Sequence, residues 1–232
     1  MFFHFDTTYF IIVGPAFILA IIAQIWVKSA FSKYSKVAPS SGYSGAQAAQ
    51  RILQANGIRD VSIEQTRGFL SDHYDPRSKV LRLSPDIYQG RSLASIGVAA
   101  HEAGHALQHA YGYAPLNLRS GLVPVTQVGS WLAWPLFFIG MFIDPIIAWV
   151  GVMLFGAVVL FQIVTLPVEF NASKRAVEQI QQVGIVNSNE AVAAKRVLNA
   201  AAMTYVAATI QAFLTLLYFL MRMGLLGGRD EQ

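Results

Sequence analysis

The chain has 232 residues, a formal net charge of +4 and no cysteine, so disulfides and thiolate metal ligands are both excluded. Hydrophobic residues make up 54% and charged residues 13%, against about 45–50% and about 25% in ordinary globular domains, and mean hydropathy is +0.45. The apolar excess gathers in long runs, the pattern of a chain partly dissolved in lipid, so the basic residues read as topology signals and no nucleic-acid partner is expected.

A helix needs about 20 mostly apolar residues to cross the hydrocarbon core. The first such span is Tyr9–Val27, apolar apart from Gln24 and with Gly14-Pro15 as a kink. It has no basic residue before it and is too long for a cleaved leader, so it reads as a signal anchor. A hydrophilic segment, residues 28–122, follows. Ser44 is placed to cap a helix over about Gly45–Asn56 that Gly57 ends. Val61–Glu64 alternates like a short strand. Phe69–Tyr74 and Val80–Leu83 flank Asp75-Pro76-Arg77-Ser78, a turn sequence with Pro at its second position, and read as a hairpin. Ser92 or Ser95 then caps a helix running to about Ala110, stopped near Gly112 and Pro115.

Three further spans complete the chain: Val123–Phe142, Pro145–Leu166 and Met203–Met221. The second of the four contains Thr126, Gln127 and Ser130, which fit either a lipid span or a cavity lining. Ile143-Asp144-Pro145 is a tight turn, and residues 167–202 form a second hydrophilic segment. Of the 17 Lys and Arg residues, all but Arg222 and Arg229 fall in the two hydrophilic segments. Basic flanks stay cytoplasmic. The expectation is therefore a multi-pass protein of a cell membrane, with both hydrophilic segments on the cytoplasmic face and both termini outside.

The chemistry centres on His101-Glu102-Ala103-Gly104-His105. In a helix, residues i and i+4 lie one turn apart on one face, so His101 and His105 can present imidazoles to one ion, with Glu102 beside them. Bound zinc lowers the pKa of its water from about 15.7 to about 7. A neighbouring carboxylate can then take the proton and return it to a leaving amine. A chance match to this spacing is on the order of one in a few hundred for a chain of this size. The flanking Ile96, Val98, Ala99, Ala100, Ala103 and Ala106 imply a buried helix, where two histidines and a glutamate would be unfavourable without partners.

Catalytic zinc usually has three protein ligands, and two histidines with a glutamate are a common peptidase set. Asp144 lies at the far end of a span, which argues against an intramembrane protease. Glu169 lies three residues after the third span, on the side of the histidines, and Pro167 reads as the first residue of the helix that carries it. A carboxylate at the bilayer centre costs about 2.5–3.5 kcal/mol, so Glu169 belongs at the membrane edge.

At these residues the chain resembles the neutral zinc metallopeptidases of bacterial membranes, the YugP type. The likeness covers nearly the whole chain and is carried by Asp72-His73-Tyr74-Asp75-Pro76, Val98–Ala106, Val168–Ser173 and Thr204-Tyr205-Val206. More distantly the chain is similar to the HtpX and CAAX-processing gluzincins, which also place the histidine motif before a membrane hairpin and a glutamate ligand after it. The resemblance implies a bacterial plasma-membrane protein, mainly α-helical, with four transmembrane helices and a small α+β gluzincin-like peptidase domain at the membrane surface. It implies one zinc ion at His101, His105 and Glu169, with Glu102 as base and a peptide or membrane protein as substrate. Where the distant relatives have Asp four residues after the ligand glutamate, this chain has Ser173, a weaker partner for a ligand histidine.

Such peptidases hold substrate along an edge strand, for which Val80–Leu83 or Phe69–Tyr74 are the candidates. His73, His109, Arg175 and Tyr205 are the visible choices for oxyanion stabilisation or support of the metal. Tyr205 also fits an interfacial anchor at the start of the last span. The rival to an endopeptidase is a zinc-bound binding or quality-control module without catalysis, against which the intact Glu102 argues.

Overall fold

The computed structural model describes residues 7–68 and 71–225. In chain order these form α1 (Thr7–Tyr34), α2 (Gly45–Ala55), β1 (Ser62–Gln65), β2 (His73–Asp75), β3 (Val80–Leu83), α3 (Pro85–Tyr88), α4 (Leu93–Ala110), α5 (Ala114–Ile143), α6 (Pro145–Gln182) and α7 (Ser188–Arg222). The helices α1, α5, α6 and α7 are long and apolar enough to cross a membrane. The chain divides into two compact units. One takes the residues up to Ala23, Leu118–Leu166 and those from Thr204, and the other takes Gln24–Asn117 and Pro167–Met203.

The first unit is built from aromatic and very small residues. Phe137 stacks on Phe219 with ring centroids 4.0 Å apart, and Trp134 meets the same ring edge-on at 4.8 Å. A Cβ on Gly140 would lie 2.0 Å from the Ala148 nitrogen, and one on Gly151 would lie 2.7 Å from the Ala133 carbonyl. The backbones of α5 and α6 thus touch where glycine permits it, as helices do when packing rather than water exclusion must hold them together. Asp144 accepts from the Ile146 amide at 2.8 Å and so caps α6 ahead of Pro145, a pairing that suits a helix start. Thr126 and Ser130 donate to carbonyls of their own helix, so neither hydroxyl needs a cavity in order to be satisfied. Trp131, Phe142, Ile146 and Met153 point outward, which makes a surface that lipid solvates and water does not.

One local expectation fails here. Pro167 does not begin a helix but lies inside α6, which runs unbroken from Pro145 to Gln182. Proline removes a single backbone hydrogen bond, and packing against neighbouring helices offsets that loss.

In the second unit α4 is the central element. Its N-terminus is capped by the Ser92 hydroxyl accepting from the Ser95 amide at 3.1 Å. Its C-terminus closes through Gly112, at φ 63, with the Tyr113 amide donating back to the Gln108 carbonyl at 2.9 Å, the motif that glycine makes at helix ends. Helix α2 carries the full capping box, Ser44 and Gln47 bonding reciprocally, and packs Ala48, Ala49, Ile52 and Leu53 into a core with Ile96, Ala99, Ala100, Ala103 and Leu107 of α4. The small sheet has the order β1-β3-β2, with β1 parallel and β2 antiparallel to β3. This corrects one of the two edge-strand candidates. Val80–Leu83 is the central strand, paired on both sides, because Leu81 and Leu83 are fully buried and draw the strand inward. Of the other candidate, Tyr74 lies in β2, while Phe69 and Leu70 lie outside the described residues.

Candidate metal centre

Helices α4 and α6 bring the site together through one unusually close crossing. A Cβ on Gly104 would lie 2.6 Å from the Ala172 carbonyl oxygen, so only glycine lets the two backbones approach this far. On either side of this contact the helices present their polar residues to each other. His101 Nε2 lies 3.1 Å from Glu169 Oε2, and His105 Nε2 lies 3.7 Å from the same oxygen. One donor atom from each of the three residues lies within 4.8 Å of the others. Nitrogen and oxygen donors about 2.0–2.1 Å from a tetrahedral ion stand about 3.3 Å apart, so the spacing and the donor types both fit zinc.

The electrostatics are those of a site made for a cation. Burial pushes the Glu169 carboxyl up, but the His101 hydrogen bond and the adjacent His105 ring outweigh it and hold the group well below the usual carboxylate range. Burial pulls the His105 imidazole down, yet the neighbouring Glu169 and Glu102 carboxylates carry it above its ordinary value. Positive charge is thus drawn to the centre of the cluster. Glu102 is buried, at 8% exposure, on the same helix as both histidines.

Each imidazole has a second partner on its other nitrogen. Ser173 Oγ lies 3.1 Å from His101 Nδ1. It stands one turn beyond Glu169 on α6, so a single face of that helix serves both ends of one ring. His105 Nδ1 lies 2.9 Å from Gln108 Oε1. Gln108 is completely buried, and its amide nitrogen donates to the Val168 carbonyl at 2.8 Å and to Asn171 Oδ1 at 3.0 Å. Arg175 Nε donates to that same Asn171 oxygen at 2.8 Å, and its guanidinium lies over the Tyr111 ring at 5.7 Å. The stretch Val168–Ser173 is therefore used almost residue by residue, with only Phe170 turned outward. Sequence reasoning overlooked Gln108. Its signal was a polar residue three positions after His105, on a helix otherwise lined with alanine and leucine.

The remaining candidates fall elsewhere. Arg175 is bound to Asn171 and Tyr111 and reaches His105 only through Asn171 and Gln108. His109 Nδ1 and the Tyr74 hydroxyl share a hydrogen bond of 2.8 Å, and burial with the charges of Asp60 and Asp75 pushes that phenol up to about 12, so it stays protonated. The pair lines a cavity of about 470 Å³ with Asn56, Asp60, Lys79 and Tyr111. His73 is exposed, with Nδ1 on the Ser71 carbonyl and Nε2 facing Arg82. Tyr205 lies inside α7, one residue after Thr204, where the first unit's share of that helix begins. Asp144, in that unit too, serves as the cap of α6.

Comparison with known proteins places the chain in a family. Residues 9–224 match the family model described as "Putative neutral zinc metallopeptidase". The chain is 50% identical over 214 residues to "Putative membrane protease YugP" of Bacillus subtilis (strain 168), a match that covers 92% of this chain and 94% of that protein. No solved structure matches the chain. With four apolar helices and a His-His-Glu cluster able to hold a metal, this chain is a multi-pass membrane protein of the family named "Putative neutral zinc metallopeptidase".

Proposed function

We propose that the protein is a zinc-dependent integral-membrane endopeptidase that cleaves membrane or membrane-proximal proteins. In this reading His101, His105 and Glu169 hold one zinc ion in a gluzincin-like site at the cytoplasmic surface of a bacterial plasma membrane. The observation that carries it is the convergence of three donors from α4 and α6, with His105 and Glu169 buried and His101 half-buried, and a buried carboxylate, Glu102, next in sequence to the first of them.

When bound, zinc supplies a Lewis acid for the scissile carbonyl and an acidified water. Glu102 accepts the proton of the attacking water and delivers it to the departing amine, so one carboxylate acts as base and then as acid. Glu169 balances the charge of the cation, and the two imidazoles set its position. Substrate backbone adds to β2, which packs against α4 and, among the described residues, pairs with β3 alone. Main-chain hydrogen bonds would hold an extended peptide there with little regard for sequence.

The test is zinc content and proteolysis of a membrane-protein substrate, measured for the wild type and for Glu102→Gln. The expected outcome is one zinc per chain in both and cleavage by the wild type only. Equal cleavage by both overturns the role of Glu102, and zinc without cleavage by either points to the non-catalytic module. Because the chain has no cysteine, a single cysteine at Lys79 also reports topology. A membrane-impermeant thiol reagent applied to intact cells should leave it unlabelled.

A further inference from the structure

The hydrogen bonds behind His105 permit one assignment of donors and acceptors. Arg175 can only donate, so the Asn171 atom that meets its Nε at 2.8 Å is the carbonyl oxygen. That oxygen must then receive from Gln108 as well, at 3.0 Å, and the Val168 carbonyl, which can only accept, requires the same of Gln108 at 2.8 Å. Two independent acceptors thus turn the Gln108 amide nitrogen toward α6. Its oxygen is left facing His105 Nδ1 at 2.9 Å, and an amide oxygen accepts but never donates. His105 must therefore carry its proton on Nδ1.

We propose that Gln108 is a positioning residue that locks His105 in the Nδ1–H tautomer, so that Nε2 alone carries the lone pair facing Glu169, and that Asn171 and Arg175 hold Gln108 in the single orientation that does this. The amide bonds α4 to α6 at the Val168 carbonyl, one residue before Glu169, so the tautomer of one ligand and the placement of another depend on the same side chain. Gln108 is completely buried, so no water competes for its three side-chain polar contacts. Supporting partners of this kind tune ligand basicity and orientation. Here the support is a neutral amide fixed by an arginine three contacts away from His105.

The inference rests on the zinc reading only for affinity, since the tautomer can be read without metal. Full-length protein in detergent micelles, labelled with ¹⁵N-histidine and stripped of metal, is examined by NMR at alkaline pH, and zinc affinity is measured separately by chelator competition. Wild type should show His105 protonated on Nδ1 alone. Gln108→Leu, close in volume and without polar atoms, should show a mixture of tautomers and bind zinc about 10- to 100-fold more weakly. Asn171→Leu should move both readouts in the same direction, whereas Asn171→Asp, which keeps an acceptor for Gln108 and Arg175, should restore them. An Nε2–H signal for His105 in the wild type overturns the proposal. So does an unchanged tautomer in Gln108→Leu or, should that variant not fold, in Asn171→Leu. If the wild type binds no zinc, the zinc reading fails while the NMR result still decides the tautomer.

Discussion

The two imidazoles of the metal centre are held in different ways. His101 leans on a single hydroxyl, Ser173 at 3.1 Å, which can rotate and can donate or accept. His105 leans on Gln108, whose direction is set by the Val168 carbonyl and by Asn171. Both rings turn Nε2 toward one oxygen of Glu169, so the arms share an anchor and differ in what stands behind them. The difference shows that equal residues at i and i+4 need not be equal ligands. A hydroxyl leaves the outer nitrogen adaptable, and a clamped amide does not.

The harshest way to break this comparison is to remove the shared anchor. Glu169→Gln takes the buried charge from both arms at once, and loss of one member of a buried ionic set costs about 3–5 kcal/mol. Zinc affinity should fall by more than about 100-fold, and metal analysis after gel filtration should find the variant empty. Retention of one zinc per chain would move the third ligand to another residue. Next comes Gly104→Ala, which sets a methyl group 2.6 Å from the Ala172 carbonyl in the unaltered geometry. Parting α4 from α6 should cost about 1–3 kcal/mol and weaken both arms together, seen as a lower thermal midpoint and a matching loss of zinc affinity. A variant with wild-type midpoint and affinity would show that the crossing is not tight.

Ser173→Ala tests the adaptable arm alone. Losing one neutral hydrogen bond should cost about 0.5–1.5 kcal/mol, less than the Gln108→Leu change on the opposite arm. Ser173→Asp should strengthen His101 as a ligand and tighten zinc, because a carboxylate is the stronger partner. Chelator competition across these variants orders the arms, and a Ser173→Ala loss as large as that of Gln108→Leu would erase the distinction. The smallest effect lies outside the site. The Ser78 hydroxyl, the Arg77 amide and Arg82 hold the Asp75 carboxyl down to about 2. A depressed carboxylate stabilises the fold above its unfolded pKa of about 3.9, and this contribution fades as pH falls from there toward about 2. The Asp75 side chain keeps 30% exposure, so solvent screening keeps the effect small. Asp75→Asn should flatten that part of a stability-against-pH curve and leave zinc affinity unchanged.

Much of this was legible in one dimension because it depends on local chemistry. The apolar runs predict the four long helices, since any helix that crosses lipid must be apolar over its length. Ser44 and Ser92 mark the starts of α2 and α4 because a hydroxyl satisfies the free amides of a first turn. His101 and His105 form a pair at any place where that stretch is helical. Glu169 was within reach of inference because the hairpin of two spans returns the chain to the side it left, and the fold places its carboxylate between the two rings. Pro167 misled, since a proline reads locally as a helix start while the continuous helix around it is decided by packing.

The sequence by itself determined which residues can bind a metal and where the chain meets lipid, because spacing along a helix and apolar length are properties of consecutive residues. Only the tertiary structure decided that β3 is central, that Arg175 and His109 stand back from the metal position, and that Gln108 faces His105 from within the core. Those choices depend on how closely α4 and α6 approach at Gly104 and Ala172, a distance set by the absence of one methyl group and visible only when both helices are in place.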